Sequence, residues 1–318
     1  MKKKKSLLLI TLIVSFVLIV SAVIVSLTAG IKLGTDVAGG YQIEVAYQDQ
    51  ENIDAKVEKV KAVLTNNGVN VETVFIEDKN TDTVIVVRTA TKNIDKEAIV
   101  EKLVQELSVD ESNIYGPVEL SGTITKKAVL WTSITLVCLL IALFVACWIR
   151  YNVMSGLTML FVVLHTLLLN IAVLILTRLP LNIATIITIV CTTILVLFAF
   201  IMLLERIKEN MSQKHNEDLS IEEVVNLSER GIAIPLIFVA SAVFIVSLIM
   251  LFVPVSYVTY LACALLVGLV VAAYTYCLVG VDVHKRLLEV KAVNDKARLS
   301  KNSTEVAKPK RPKSRKTR

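Results

Sequence analysis

Histidine is nearly missing from this 318-residue chain, which has three, at 165, 215 and 284. Positions so far apart form no metal-ligand pattern, and no Ser-His-Asp or Cys-His arrangement accompanies them, so neither a metal centre nor a hydrolase is indicated. The five cysteines, at 138, 147, 191, 263 and 277, all fall in apolar runs, and residues 28–127 contain no cysteine or histidine. Disulfides therefore have no part in that stretch, and the thiols read as small core hydrophobes. Acidic residues are absent from a third place, since none lies inside any of the long apolar runs. No catalytic residue, metal or cofactor is assigned.

What the chain has instead is apolar length. Hydrophobic residues make up 55% of it and charged ones 19%, and the apolar residues come in runs of roughly 20, the number that spans a hydrocarbon core of about 30 Å. Six such runs occur, at 6–27, 128–148, 153–176, 181–204, 232–252 and 255–281. The first follows lysines 2 to 5, but it is longer than a signal peptide's apolar region of about 7–15 residues and no Ala-x-Ala site follows, so it reads as an uncleaved anchor. Lysine and arginine gather at residues 1–5, at Arg150, in 205–230 and in the tail 282–318. With six spans all of these fall on one side, which predicts a multi-pass plasma-membrane protein with both termini cytoplasmic and residues 28–127 outside.

Within 28–127 the pattern alternates between strand and helix. Residues 41–47 alternate like a strand and 52–64 repeat apolar positions at helical spacing. The β-branched stretches 71–76 and 83–88 bracket a turn at 78–82, residues 96–107 read as a second helix, and 113–120 close with a strand. The order βαββαβ predicts an α+β, ferredoxin-like external domain between the first two helices of an otherwise α-helical membrane protein. On the other side, 205–230 reads as a helical loop with Ser220 and Glu223 spaced as a capping box. From Asn294 the tail is rich in Lys, Arg, Ser and Pro, which predicts disorder and contact with anionic lipid at about 1 kcal/mol per charge near the surface. Ribosomal RNA or a nascent-chain machine is the alternative contact; no specific nucleic acid is indicated.

Four short motifs carry a family resemblance. The stretch from Gly34 through Asp36, Gly39 and Gly40 to Glu44 is similar to the Gly-x-Asp-x-x-Gly-Gly…Glu-Val motif that opens the external domain in the SecD/SecF family. Tyr115-Gly116-Pro117 is similar to the Val-Gly-Pro element before the second SecF span, and Glu205-Arg206-Ile207-Lys208-Glu209-Asn210 to the Asp-Arg-Ile-Arg-Glu-Asn that leaves the fourth. The run from Ala264 through Gly268 to Tyr274 resembles the sixth. Gly268 with Ala272 is also a small-xxx-small pair, which admits a close neighbouring helix. In order and spacing these motifs resemble SecF, which implies a subunit assisting Sec-dependent protein translocation. The resemblance implies a SecD-like membrane partner and contact with the Sec channel and the translocating polypeptide.

The chain departs from the family where proton coupling is expected. The family carries an Asn-Asp pair before the fourth-span exit, where this sequence has Phe198-Ala199, and a His-Asp pair in the third span, where it has His165-Thr166. A subunit without these carboxylates implies proton coupling that is lost or supplied by the partner. The remaining intramembrane polar candidates are His165, Thr166 and Asn170 on the third helix and Thr188 and Thr192 on the fourth, where Asn182 and Thr185 extend the same face. Their bland role is bonding to helix backbones; their functional one is a remnant polar pathway. An RND-like exporter of lipid or small molecules, or an envelope sensor or scaffold, are the alternatives of other classes.

Overall fold

Two periodicities divide the chain into two layers, a small sheet unit with period two and a bundle of long helices with period 3.6. The computed structural model describes residues 2–48, 51–79, 82–91, 94–122, 126–213, 219–253 and 256–306. Helix α1 (Lys2–Thr28) leads through a one-turn helix α2 (Thr35–Ala38) into strand β1 (Gly40–Tyr47). Then come α3 (Ile53–Asn66), β2 (Val71–Lys79), β3 (Asp82–Thr89), α4 (Lys96–Leu107) and β4 (Ile114–Leu120). The four strands form one antiparallel sheet in the order β2-β3-β1-β4.

Alternation assigns the faces of this sheet. Ile43, Val45, Val74, Ile85, Val87 and Ile114 point to one side, where Val60, Val63 and Leu64 of α3 and Ile99 and Leu103 of α4 close a core. Helix α3 ends at Asn66, and the chain turns away at Gly68, whose φ of 77° only glycine adopts freely. Helix α4 starts at Asp95, whose carboxylate accepts from Ala98 N at 3.3 Å. The hairpin turn predicted at 78–82 falls partly outside the described residues.

The long helices are α1, α5 (Lys126–Arg150), α6 (Val153–Leu176), α7 (Ile183–Ser212), α8 (Ile221–Met250) and α9 (Ser256–Tyr274), the last running through a π-helical turn, Thr275–Gly280, into α10 (Val281–Val306). Among the described residues, six helices are long and apolar enough to cross a membrane. Helices α6, α7 and α9 pack together at the centre, with α1 and α5 on α6 and α8 on α7 and α9. Met159, Val162, Phe200, Leu203 and Leu204 fill the inner core. Leu9, Phe16, Trp131, Leu139, Ile234 and Phe238 face outward and are exposed, as an apolar solvent requires.

The helical character expected of 205–230 comes, among the described residues, from the flanking helices: α7 runs on to Ser212 and α8 starts at Ile221, because an established helix propagates without a new nucleus. Ser220 does form the capping box with Glu223. A π turn interrupts the helix of the last span. One expectation is corrected: order does not stop at Asn294, since α10 continues to Val306; Lys, Ala, Arg, Leu and Glu are residue types that lose little rotamer freedom in a helix, so composition that cannot build a core can still extend an anchored one. Residues 307–318, the rest of the basic tail assigned to lipid, lie outside the described residues.

Candidate functional site

The polar residues of the bundle concentrate where α1, α6, α7 and α9 meet. Asn182 is the N-cap of α7: its side chain accepts from Thr185 N at 2.9 Å while Asn182 N donates to Thr185 Oγ1, also at 2.9 Å. Past this cap, Thr188 and Thr192 are buried, and each hydroxyl donates to a carbonyl of its own helix, Thr188 to Ala184 and Thr192 to Thr188. On α6, Thr166 likewise donates to Val162 O at 2.8 Å. Asn170 reaches across, donating to Thr192 Oγ1 at 3.2 Å. The stripe thus serves mainly its own backbones, with one interhelical link. Gly268 makes the link possible: a Cβ there would sit 2.5 Å from Thr192 Cγ2.

His165 is the most connected member. Its Nε2 lies 3.0 Å from Ser15 Oγ on α1, and its Nδ1 lies 3.3 Å from Thr275 Oγ1 at the start of the π turn. Tyr274 donates to Thr11 O at 2.6 Å and lies 2.9 Å from Ser15 Oγ, and the rings of Phe161 and Tyr274 stack on the imidazole. A π turn widens the helix by one residue, a local feature that often marks functional positions; here it brings Thr275 to the ring. This node ties three helices together through hydroxyls and rings.

At the Arg206 end of α7 the motif residues form a clamp. Arg206 pairs with Glu209, and Asn210 donates to Ser228 Oγ of α8 at 2.8 Å. Glu205 accepts from Arg150 at 2.9 and 3.0 Å and from Tyr151 OH at 3.0 Å. Burial, and then the bond to Glu205, pushes the Tyr151 phenol up to about 12, so it stays a donor. A cavity of about 280 Å³ opens between α7, α8 and α9, lined by Ala199, Glu229 and Tyr276 among others. The Tyr276 hydroxyl is buried without a partner among the described residues.

The sheet-unit motif folds as a turn. Gly39 has φ 76°, and a Cβ on it would lie 2.7 Å from Leu120 O; on Gly40 it would lie 2.0 Å from Thr89 O, and on Gly116, at φ 99°, 2.6 Å from Gln42 O. Pro117 follows on the edge strand β4, where a missing N–H removes no bond from the sheet interior. Asp36 lies 3.7 Å from Arg88 Nη1, Arg88 Nε donates to Gln42, and Gln42 donates to Glu44. The two acids are thus connected through side chains across three elements.

Several residues here carry no signal in the sequence. Ser15 and Thr275 are ordinary residues of apolar helices until α1, α6 and α9 meet, and Tyr274, the end of the run that resembles the sixth SecF span, gives no sign there of its contact with α1. Glu229 looks like part of a polar loop. Glu72 looks like a solvated acid in a strand, but the register of β2 against β3 shifts between Val71 and Thr73. Such an irregularity re-aims a side chain, and Glu72 is 7% exposed. A break in the apolar-polar alternation of β2 at Glu72 is the one hint available. Among the described residues, no group of His, Cys, Asp and Glu converges as metal ligands would.

Comparison with known proteins follows from this geometry. A family profile described as protein export membrane protein SecD/SecF, C-terminal, matches residues 95–289. The fold is similar to a crystal structure of SecDF in a super-membrane-facing form, with a TM-score of 0.71 and 18% identity over 94% of this chain and 40% of that one. It is also similar to a crystal structure of SecDF, a translocon-associated membrane protein, from Thermus thermophilus, with a TM-score of 0.58 and 19% identity over 89% of this chain and 38% of that one. The chain therefore spans about two fifths of the length of these SecDF chains. Among curated proteins, none matches it significantly.

Proposed function

The chain belongs to the SecD/SecF family of protein export membrane proteins, and from that premise we propose that it is the SecF-like half of a SecD/SecF pair assisting Sec-dependent translocation. Its companion is a SecD-like half, on the same or a separate polypeptide, together with the Sec channel and the chain in transit. We read the unit β1-α3-β2-β3-α4-β4 as ferredoxin-like and place it outside the cell, with both termini cytoplasmic, on the distribution of Lys and Arg. The motif residues Gly34, Asp36, Gly39, Gly40, Glu44, Gly116 and Pro117 shape the start and closing strand of that unit; Arg206, Glu209, Asn210 and Gly268 hold the helix bundle.

The observation that carries the division of labour is chemical. The buried polar positions at the α1-α6-α7-α9 junction are Thr, Ser, Asn and His, and Ala199 stands where the family resemblance puts an aspartate. A hydroxyl stripe bonded to its own backbone takes up no proton at ordinary pH, so in this proposal the SecD-like half supplies the coupling. His165→Ala is then expected to change export by less than about twofold, while weakening the α1-α6-α9 contact by roughly 1–2 kcal/mol. Export of a reporter by cells carrying the variant at normal protein level checks this, and a strong defect would return proton traffic to His165. Affinity capture from mild detergent, with mass spectrometry of the co-purifying chains, tests the pairing itself: a SecD-like sequence or Sec component supports it, and the chain alone, even after crosslinking in intact cells, counts against it.

A further inference from the structure

The sheet unit rests on the membrane helices through a narrow polar seam. Leu33 bridges Leu181 in parallel, with Leu181 N donating to Lys32 O at 2.8 Å and Gly34 N to Leu181 O at 3.0 Å. Arg178 donates to Gly30 O and Ala29 O. Beside this bridge, Glu72 from β2 turns inward: its carboxylate accepts from Thr35 N at 2.7 Å, and its backbone carbonyl accepts from Tyr260 OH of α9 at 2.8 Å. Among the described residues no apolar cluster spans the seam, since the sheet unit and the bundle each keep their own. An interface held by a few hydrogen bonds, with little buried apolar surface, belongs to the low-stability end of a structure and opens before either core does.

We propose that Glu72 is a proton-operated latch: neutral, it holds the sheet unit down on the helices, and ionised, it is drawn into water and releases the unit. Four observations carry this. Glu72 is the buried carboxylate of the seam, 7% exposed. A cavity of about 100 Å³ adjoins it, lined by Thr35, Asp36, Arg88, Asn182 and Tyr257, large enough to admit water as the seam loosens. The Asn182 Nδ2 amide is buried, its residue lines this cavity, and it has no partner among the described residues, so the seam is short of one bond as it stands. Gly34 leaves the space that the carboxyl occupies, since a Cβ there would lie 2.7 Å from Glu72 Oε1 and 2.5 Å from Asn182 Cβ, so sheet unit and helix bundle meet closely at this point.

The charges around Glu72 set the sign. Burial pushes its carboxyl above the ordinary 4.5; the Thr35 bonds oppose that, Asp36 adds to it, and Lys32 subtracts. Arg88 of β3, Tyr257 and Tyr260 of α9 and Arg178 of the α6-α7 turn are the other ionisable groups facing the seam. Because docking raises the affinity of Glu72 for a proton, docking is fully favoured below the ordinary value and is lost as pH rises through the raised one, at most about tenfold per pH unit for one proton. The latch depends on the seam alone and not on which side of the membrane the unit faces.

The test places spin labels on cysteines introduced at Asn70 and Thr177, both exposed and on opposite sides of the seam, in the full chain with its five native cysteines replaced, in lipid nanodiscs. In the wild type a single short distance at about pH 5 is expected to give way to a second, longer population that grows several-fold by about pH 8. Glu72→Gln, which keeps the shape and removes the titration, is expected to hold the short distance throughout. Asp36→Asn, which leaves Glu72 in place and removes an acidic neighbour that raises its affinity for a proton, is expected to move the transition to lower pH. Unchanged wild-type distances across this range, a pH response retained in Glu72→Gln, or a transition raised in Asp36→Asn would each overturn the proposal.

Discussion

Gly40→Ala is expected to unfold the sheet unit while the six long helices stay inserted. The added Cβ would meet Thr89 O at 2.0 Å and Thr89 C at 3.0 Å, and both are backbone atoms of the neighbouring strand, so no rotamer change relieves the clash. Strand β1 is paired on both sides, with Tyr41 opposite Thr89 and Gly40 opposite Leu120, so displacing it disturbs two ladders at once. A loss of about 3 kcal/mol or more is expected, against a net stability of about 5–15 kcal/mol for a whole domain. Hydrogen exchange read by mass spectrometry checks it: amides of 40–120 should lose protection and those of α6 and α7 should keep it. Equal protection in wild type and variant would show that the strand can shift at little cost.

Gly268→Ala is expected to prise α9 away from α7. Its Cβ would lie 2.5 Å from Thr192 Cγ2, and Thr192 has no free rotamer to offer, because its hydroxyl donates to Thr188 O and accepts from Asn170. Overpacking of this sort costs about 1–3 kcal/mol, and breaking the Asn170-Thr192 link adds to it. The thermal midpoint of the chain in detergent should fall, and Thr192→Ala, which removes the clashing methyl, should recover part of the loss when combined with it. A double variant no more stable than Gly268→Ala alone would mean that the two sites do not meet as described.

The six apolar runs and the small antiparallel sheet were legible before any coordinate was known, since both depend on the spacing of apolar residues along the chain. The capping box at Ser220 and Glu223 was legible too, because its partners are three residues apart. What the sequence does not mark depends on residues far apart along it. Ser15 and His165 are 150 positions apart, and Thr275 another 110 beyond, so nothing local marks them as one node. Glu72 is a surface acid by composition and a buried one by register, and Glu229, part of a polar loop by composition, lines a cavity because α8 begins eleven positions before its apolar run at 232. The continuation of α10 past Asn294 is unmarked for another reason: composition reports whether a segment can bury a core, not whether it can extend a helix already anchored.

By itself the sequence determined that the chain needs a bilayer, how often it can cross one, which faces of its strands are apolar, and where glycine is required at the entry to β1. Hydrophobic transfer and backbone sterics act on neighbouring residues, so each of these follows from order alone. The tertiary structure decided which polar groups share a junction, that the hydroxyl stripe of α7 bonds chiefly to its own helix, and that a carboxyl of β2 is shut into the seam between sheet and bundle. Those outcomes turn on desolvation and hydrogen-bond partners supplied by distant segments, which exist only once the helices and the sheet have docked.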